Sequence, residues 1–302
     1  MAAKNGRIKL DRRDAWFHFF NDIFLGLCIV LIVVPLLNVV SSAISAPSDV
    51  LNGRVLLWPK HVTLTTFSYV FKDKNLMSGY WNSIVYMVVG TVISVTVTML
   101  AAYPLSRKEL RGKQLLMFLF TFTMYFSGGM VPTFLVIRQL RMIDSIWAVV
   151  LPNALSAYNL IIARTFLTTS IPSDLYEAAE IDGAGDWRVF RSIVLPLSNS
   201  ILAVMTLLYA VGLWNLYFDA ILYLNSSDKY PLQVVLRNIM TSAQMQSSMV
   251  EATGAVQSGE MLAITESLKY TSIVCASVPM LLLYPLIQKH FSKGMMIGSI
   301  KG

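Results

Sequence analysis

Six stretches of this chain are apolar over the length a helix needs to cross a bilayer, and this limits its fold more than any other feature. Crossing the hydrocarbon core takes about 20 mostly apolar residues, because each residue advances a helix by only about 1.5 Å. The stretches are Ile23–Ile44, Ser83–Leu105, Leu115–Ile137, Ile146–Leu167, Ile193–Trp214 and Tyr270–Ile287. Only 14% of the residues are charged, and the mean hydropathy is +0.60. A soluble surface usually needs about 25% charged residues. The expected fold is therefore an all-α membrane protein with six transmembrane helices. Its expected parts are an N-terminus at 1–22, a first span at 23–44, a core of five spans at 80–288 and a tail at 289–302.

The net charge of +7 is read as topogenic, since Lys and Arg hold short loops on the cytoplasmic side. Lys4, Arg7, Lys9, Arg12 and Arg13 precede the first run, and Arg107, Lys108, Arg111 and Lys113 share one short turn. This bias puts both termini in the cytoplasm of a multi-pass protein of the cell membrane. The basic residues lie between apolar runs rather than on one soluble face, so nucleic acid is not an expected partner. The first run is too long for the apolar part of a cleavable signal and is read as an uncleaved span. Two segments on the outer side, 46–79 and 216–269, are long. The first could lie along the membrane surface, and the second contains a short amphipathic stretch over 232–240. Pro35, Pro152, Pro196, Pro279 and Pro285 interrupt spans and predict kinks.

Catalytic and metal chemistry find little support. Cys28 and Cys275 both sit within apolar runs without the spacing of a metal site. His18, His61 and His290 are scattered, and neither H-E-x-x-H nor G-x-S-x-G occurs. No G-x-x-x-x-G-K-[ST] is present to cradle nucleotide phosphates. The chain is expected to be no enzyme, with no cofactor and no metal of its own.

The most informative polar segment is 171–192, on the cytoplasmic side between the fourth and fifth runs. Ser173 is the expected N-cap of a short helix, with Asp174 in its first turn facing the positive helix end. Gly183 stands where a left-handed C-terminal cap is expected, and Asp186 is placed to cap a second short helix leading into the fifth span. Leu175, Ala178, Ala179 and Asp182 fall on one helix face, small in its middle. Glu177, Glu180, Asp182 and Asp186 make this loop acidic in an otherwise basic protein. Anionic lipid heads would repel it, so a protein partner is the better reading.

The residues Glu177-Ala178-Ala179, Asp182-Gly183-Ala184, Phe190, Ile193, Leu195 and Pro196 resemble the "EAA" loop of ABC-importer permeases. Pro59–Phe71, Asn82–Arg107, Gly128–Pro132, Trp147–Arg164, Tyr230–Gln233 and the tail from Lys293 are similar to its maltose-transporter-like branch, especially members that carry fragments of complex polysaccharides. The resemblance covers most of the chain, with Gly185 and Trp187 at variable positions. It implies the MetI-like permease core of an ATP-driven carbohydrate importer. It implies a second, homologous permease subunit, two ATPase subunits that bind ATP and Mg, and an extracytoplasmic sugar-binding protein. It assigns contact with an ATPase to Glu177, Ala178, Ala179, Asp182 and Gly183, and a second contact to the tail residues Gly298, Ser299, Lys301 and Gly302. It also places residues 225–265 where that branch meets its binding protein.

Polar residues within or beside the spans are the candidates for lining a path: Asn82, Tyr86, Asn153, Asn159, Asn199 and Asn215. Hydrogen bonding between helices is the competing explanation for each. Arg164 is expected at the cytoplasmic interface, because an arginine at mid-bilayer costs about 2.5–3.5 kcal/mol. An ion-driven secondary transporter is the alternative. It would usually carry carboxylates inside the membrane, and these runs hold almost none away from their ends.

Overall fold

The computed structural model describes residues 12–253 and 259–298, and no strand occurs among them. Two compact units emerge, Met1–Val70 with Ala243–Cys275, and Phe71–Ser242 with Ala276–Gly302.

In the smaller unit, α1 (Arg12–Ala43) is an apolar rod exposed along most of its length, as a helix surrounded by lipid would be. Its last turns are different. Asn38 donates to the carbonyls of Val55 and Leu56, and Ser41 donates to that of Leu57. These bonds fold the segment after α2 (Pro47–Leu51) back onto α1. Asp49 is buried at this turn and receives His61 Nδ1 at 2.7 Å. The loop then enters α3 (Thr65–Lys72).

The larger unit is built around α4 (Lys74–Ser106), a 33-residue helix that starts at an Asp73 cap, whose carboxylate accepts from Asn75 and Leu76 N–H. One face of α4 is small and buried: Gly79, Ser83, Gly90, Ser94, Thr98 and Ala102. Small residues let helix backbones approach closely in a membrane. A Cβ on Gly90 would lie 2.6 Å from Leu213 Cδ1 of α12 (Asn199–Trp214). Thr98 and Tyr209 hydroxyls bond at 2.7 Å, and the same Tyr209 oxygen accepts from Ser156 N–H.

Three of the expected spans are not single helices. Segment 115–137 divides into α5 (Lys113–Tyr125) and α6 (Met130–Gln139), bent by 112°. The break is at Gly129, whose φ of 85° and ψ of 174° suit glycine almost alone. Segment 146–167 divides into α7 (Ile146–Val150) and α8 (Ala157–Ser170). Asn153 Nδ2 donates to the Val149 carbonyl and Ser156 Oγ accepts from Asn159 N–H, so side chains satisfy the broken backbone.

The expected fifth span also breaks. After α9 (Ser173–Ile181) and α10 (Asp186–Val189) come a π-helical turn, Phe190–Val194, and the short α11 (Leu195–Leu197). Leu195 N–H donates to the Phe190 carbonyl, five residues back, just before Pro196, which has no N–H to give. The run Asp186–Leu197 meets α12 at 81°, so the second loop helix does not continue into the span. Beyond α12 lie α13 (Phe218–Tyr223), a 3-10 turn at Ser227–Lys229, α14 (Leu232–Thr253) and α15 (Gly259–Gly298), a 40-residue helix that contains the sixth expected span.

Gly79 provides a test of this close packing. Its Cβ would sit 3.0 Å from Val235 Cγ2 and 3.3 Å from the Leu232 backbone, which cannot yield as a side-chain tip can. Gly79→Val should cost about 1–3 kcal/mol and lower the melting temperature of the detergent-solubilised protein. Gly212→Ala, where nothing lies within 4 Å, should not lower it. Equal melting of the two variants would refute the close approach.

Candidate functional site

The acidic loop folds as a short helix, a glycine turn and another short helix. The details of its caps differ from expectation. Ser173 is the first helical residue of α9 rather than its cap. The cap position is Pro172, which makes no side-chain cap bond. Asp174 does occupy the first turn. Asp186 likewise begins α10 without capping it, and its carboxylate instead accepts the Tyr103 hydroxyl at 3.4 Å. A side chain drawn to a tertiary donor is lost to the local cap.

Gly183 has φ of +70° and nothing within 4 Å of where a Cβ would be. Its constraint is therefore backbone conformation, not space. Gly183 N–H donates to Glu180 O and Ala184 N–H to Ala179 O, which closes the end of α9. The face expected from spacing divides in two: Ala179 is buried, whereas Leu175, Ala178 and Asp182 remain exposed. Glu177 and Glu180 are exposed too, and among the described residues no cation pairs with either. Spacing alone did not reveal Ile181, 86% exposed, or Trp187, 65% exposed, on the same loop.

The C-terminal turn of α4 holds both halves of this loop. Arg107 places its guanidinium 4.1 Å from the centre of the Tyr176 ring on α9 and pairs with Glu109 at 3.2 Å. One turn earlier, Tyr103 reaches Asp186 and packs against Phe190. Arg164 of α8 donates to the Leu105 carbonyl, one of those left open at the helix end. Burial pushes the Tyr176 phenol up, so at neutral pH it stays protonated and uncharged under the arginine. Beside these contacts a cleft of about 530 Å³ is lined by Leu100, Tyr103, Arg107, Asp186, Trp187 and Phe190.

The candidate path residues do not form one cluster. Asn82 and Tyr86 are engaged at the other end of α4. Asn82 Nδ2 donates to the carbonyls of Asp228 and Tyr230, and Tyr86 donates to that of Lys229. Asn159 is buried on α8. Asn199 and Asn215 are exposed at opposite ends of α12, about 24 Å apart at the rise of a helix. Asn153 reaches Asp219 Oδ2 at 2.7 Å. Gly298 ends α15, while Ser299, Lys301 and Gly302 lie outside the described residues.

Sequence reading missed Asp144, which has φ of +61°. Its carboxylate accepts from Asn225 N–H, Ser226 N–H, the Ser226 hydroxyl and Lys229 Nζ. Every donor comes from about 80 residues further on, so no local pattern announces it. The Lys229 ammonium, then the Ser226 and Asn225 donors, hold this carboxyl well below the usual carboxylate range.

Two outcomes follow. Gly183→Asn should fold almost as the parent does, whereas Gly183→Val should loosen the loop at a cost of at least about 1–2 kcal/mol. Limited proteolysis near residue 183 would measure this, and equal cleavage of the two would refute a purely conformational constraint. For Asp144, a depressed folded pKa gives stability that is complete above the ordinary value of about 3.9 and lost only as pH falls through the lower folded value. The stability gap between the parent and Asp144→Asn should thus be flat from about pH 8 to about pH 5 and shrink below about pH 4. A gap that closes near pH 6 would contradict this.

Known proteins resemble this chain in sequence and fold. Residues 94–297 match the family of binding-protein-dependent transport system inner membrane components. The polygalacturonan/rhamnogalacturonan transport system permease protein YtcP of Bacillus subtilis (strain 168) is 43% identical over 280 residues, covering 92% of this chain and 96% of that one. Protein LplC of the same organism is 38% identical over 286 residues, 95% of each chain. The crystal structure of a bacterial ABC transporter involved in the import of the acidic polysaccharide alginate contains a chain that superposes with a TM-score of 0.83 at 31% identity, covering 94% of this chain and 99% of that one. The chain therefore belongs to the binding-protein-dependent transport system inner membrane components, the permease subunits of ABC transporters.

Proposed function

We propose that this chain forms half of the translocation path of an importer for oligosaccharides or polysaccharide fragments in a bacterial cytoplasmic membrane, with both termini in the cytoplasm. The other half is a second, homologous permease. Two ATPase subunits bind ATP and Mg, and an extracytoplasmic binding protein delivers the sugar. The observation that carries this reading is α9 itself: an exposed, acidic, glycine-terminated helix fixed to the C-terminal turn of α4 by the Arg107–Tyr176 contact. Glu177, Ala178, Asp182 and Ile181 are exposed for docking to an ATPase, and Gly183 fixes their angle. Ala179 plays its part from inside, as the small buried residue that lets α9 lie close to the core.

The mechanism follows from these contacts. When the ATPase pair closes on ATP, the docked α9 moves. Because Arg107 and Tyr103 hold the loop to α4, and α4 is packed tightly on α12, the displacement reaches the spans as a rigid-body motion rather than a local one. The tail residues Gly298, Ser299, Lys301 and Gly302 supply a second contact to the ATPase side. Exposed amides at Asn153, Asn199 and Asn215 suit sugar hydroxyls along the path. The carbohydrate class rests on the substrates named for the relatives. An ion-driven carrier has no counterpart among them.

Uptake separates this reading from its rivals. The double variant Glu177→Lys, Gly183→Val should still insert in the membrane, yet lose nearly all binding-protein-dependent uptake of radiolabelled oligosaccharide and most co-purifying ATPase. Normal uptake by this variant would end the coupling role assigned to α9.

A further inference from the structure

At the end of α4 opposite the coupling loop, three side chains on one helix face each take a main-chain carbonyl from one short segment. Ser78 donates to Asp228 O at 2.9 Å, Asn82 to Asp228 O and Tyr230 O at 2.6 and 3.1 Å, and Tyr86 to Lys229 O at 2.7 Å. The spacing i, i+4, i+8 is that of a helix face. Ser83 adds a fourth tie by accepting from Leu232 N–H at 2.8 Å, the first residue of α14. Gly79 lies between them, tight against the Leu232 backbone. On its other side the segment is held by Asp144, through Lys229, Ser226 and Asn225. Segment 225–232 is thus clamped between α4 and the turn before α7.

These bonds do something that apolar packing would not. The acceptors are main-chain carbonyls, so the bonds fix the segment's register along α4 whatever its side chains are. The ladder repeats, at one end of a helix about 50 Å long, the grip that Arg107 and Tyr103 exert on the coupling loop at the other. In the importer reading above, a partner that docks on the outer face meets the ladder end and an ATPase meets the other.

We propose that Ser78, Asn82 and Tyr86 are positioning residues that make segment 228–232 and the start of α14 move with α4, so that engagement of the binding protein outside is felt at α9 inside. This deepens the importer reading above and rests on it. The ladder residues touch neither nucleotide nor sugar in this scheme. They set the size of the coupling between two docking events, and such coupling is reciprocal.

The test uses the whole complex in proteoliposomes, with ATP hydrolysis measured without and with sugar-loaded binding protein. In the triple variant Ser78→Ala, Asn82→Ala, Tyr86→Phe, hydrolysis without binding protein should match the parent, while the stimulation by binding protein should fall by about fivefold or more. Stimulation equal to that of the parent overturns the proposal, as does an equal loss of both rates. If the triple variant does not assemble with its ATPases, a cross-link decides. Asn82→Cys with Tyr230→Cys, joined by a short thiol reagent, should keep transport and stimulation, because the contact persists through the cycle. Loss of both on cross-linking overturns the proposal. A parent complex with no stimulation at all would count against the importer reading itself, which separates the two failures.

Discussion

The close approach of α4 to α12 depends on residues that contribute almost nothing by themselves. In a bilayer, lipid tails are as apolar as leucine, so helices are not driven together by the hydrophobic effect. They need shape and hydrogen bonds. Gly90 supplies the shape by leaving room for Leu213. Thr98 and Tyr209 supply the bond. The Tyr209 oxygen then reaches α8 through Ser156 N–H, at the break where a backbone donor would otherwise be stranded. One phenol thereby joins three helices. The acidic loop and the opposite ladder are both attached to α4, so a looser contact here would leave both ends gripping a helix that slides.

The broken spans follow the same logic. Irregular backbone is tolerated at membrane depth only where protein satisfies it. Asn153, Ser156 and Thr133 do so at the breaks, each by bonding a main-chain group within four residues. The π turn before Pro196 is another such device. The 81° bend to α12 comes later, at Ser198, between Leu197 and Asn199.

What the sequence made legible is what depends on neighbours along the chain. The all-α membrane fold, the first, second and sixth apolar helices and the left-handed Gly183 are all local properties, and all are present. Hydropathy averages over a window, so it cannot distinguish a straight helix from two halves bent at Gly129, although that glycine pair was visible. Capping by Ser173 and Asp186 was a reasonable local expectation that Pro172 and Tyr103 overrode. Asn82 and Tyr86 suit a sugar path by residue type, and the hydrogen-bond partners that explain them otherwise are not local. These partners lie 143 to 148 residues away in sequence, and no spacing rule reaches so far. Asp144 was invisible for the same reason.

The exposed surface of the loop narrows what its partner can be. Ile181 and Trp187 are large apolar side chains open to solvent. Most of the exposed apolar residues in this protein belong to spans, where lipid covers them. These two stand instead on a loop with Glu177, Glu180, Asp182 and Asp186, whose charges anionic lipid heads repel. A surface complementary to this loop is apolar at its centre and basic at its edge. α9 offers that surface a fixed face, because it is only nine residues long and is held by Tyr176 against Arg107 and by the turn at Gly183.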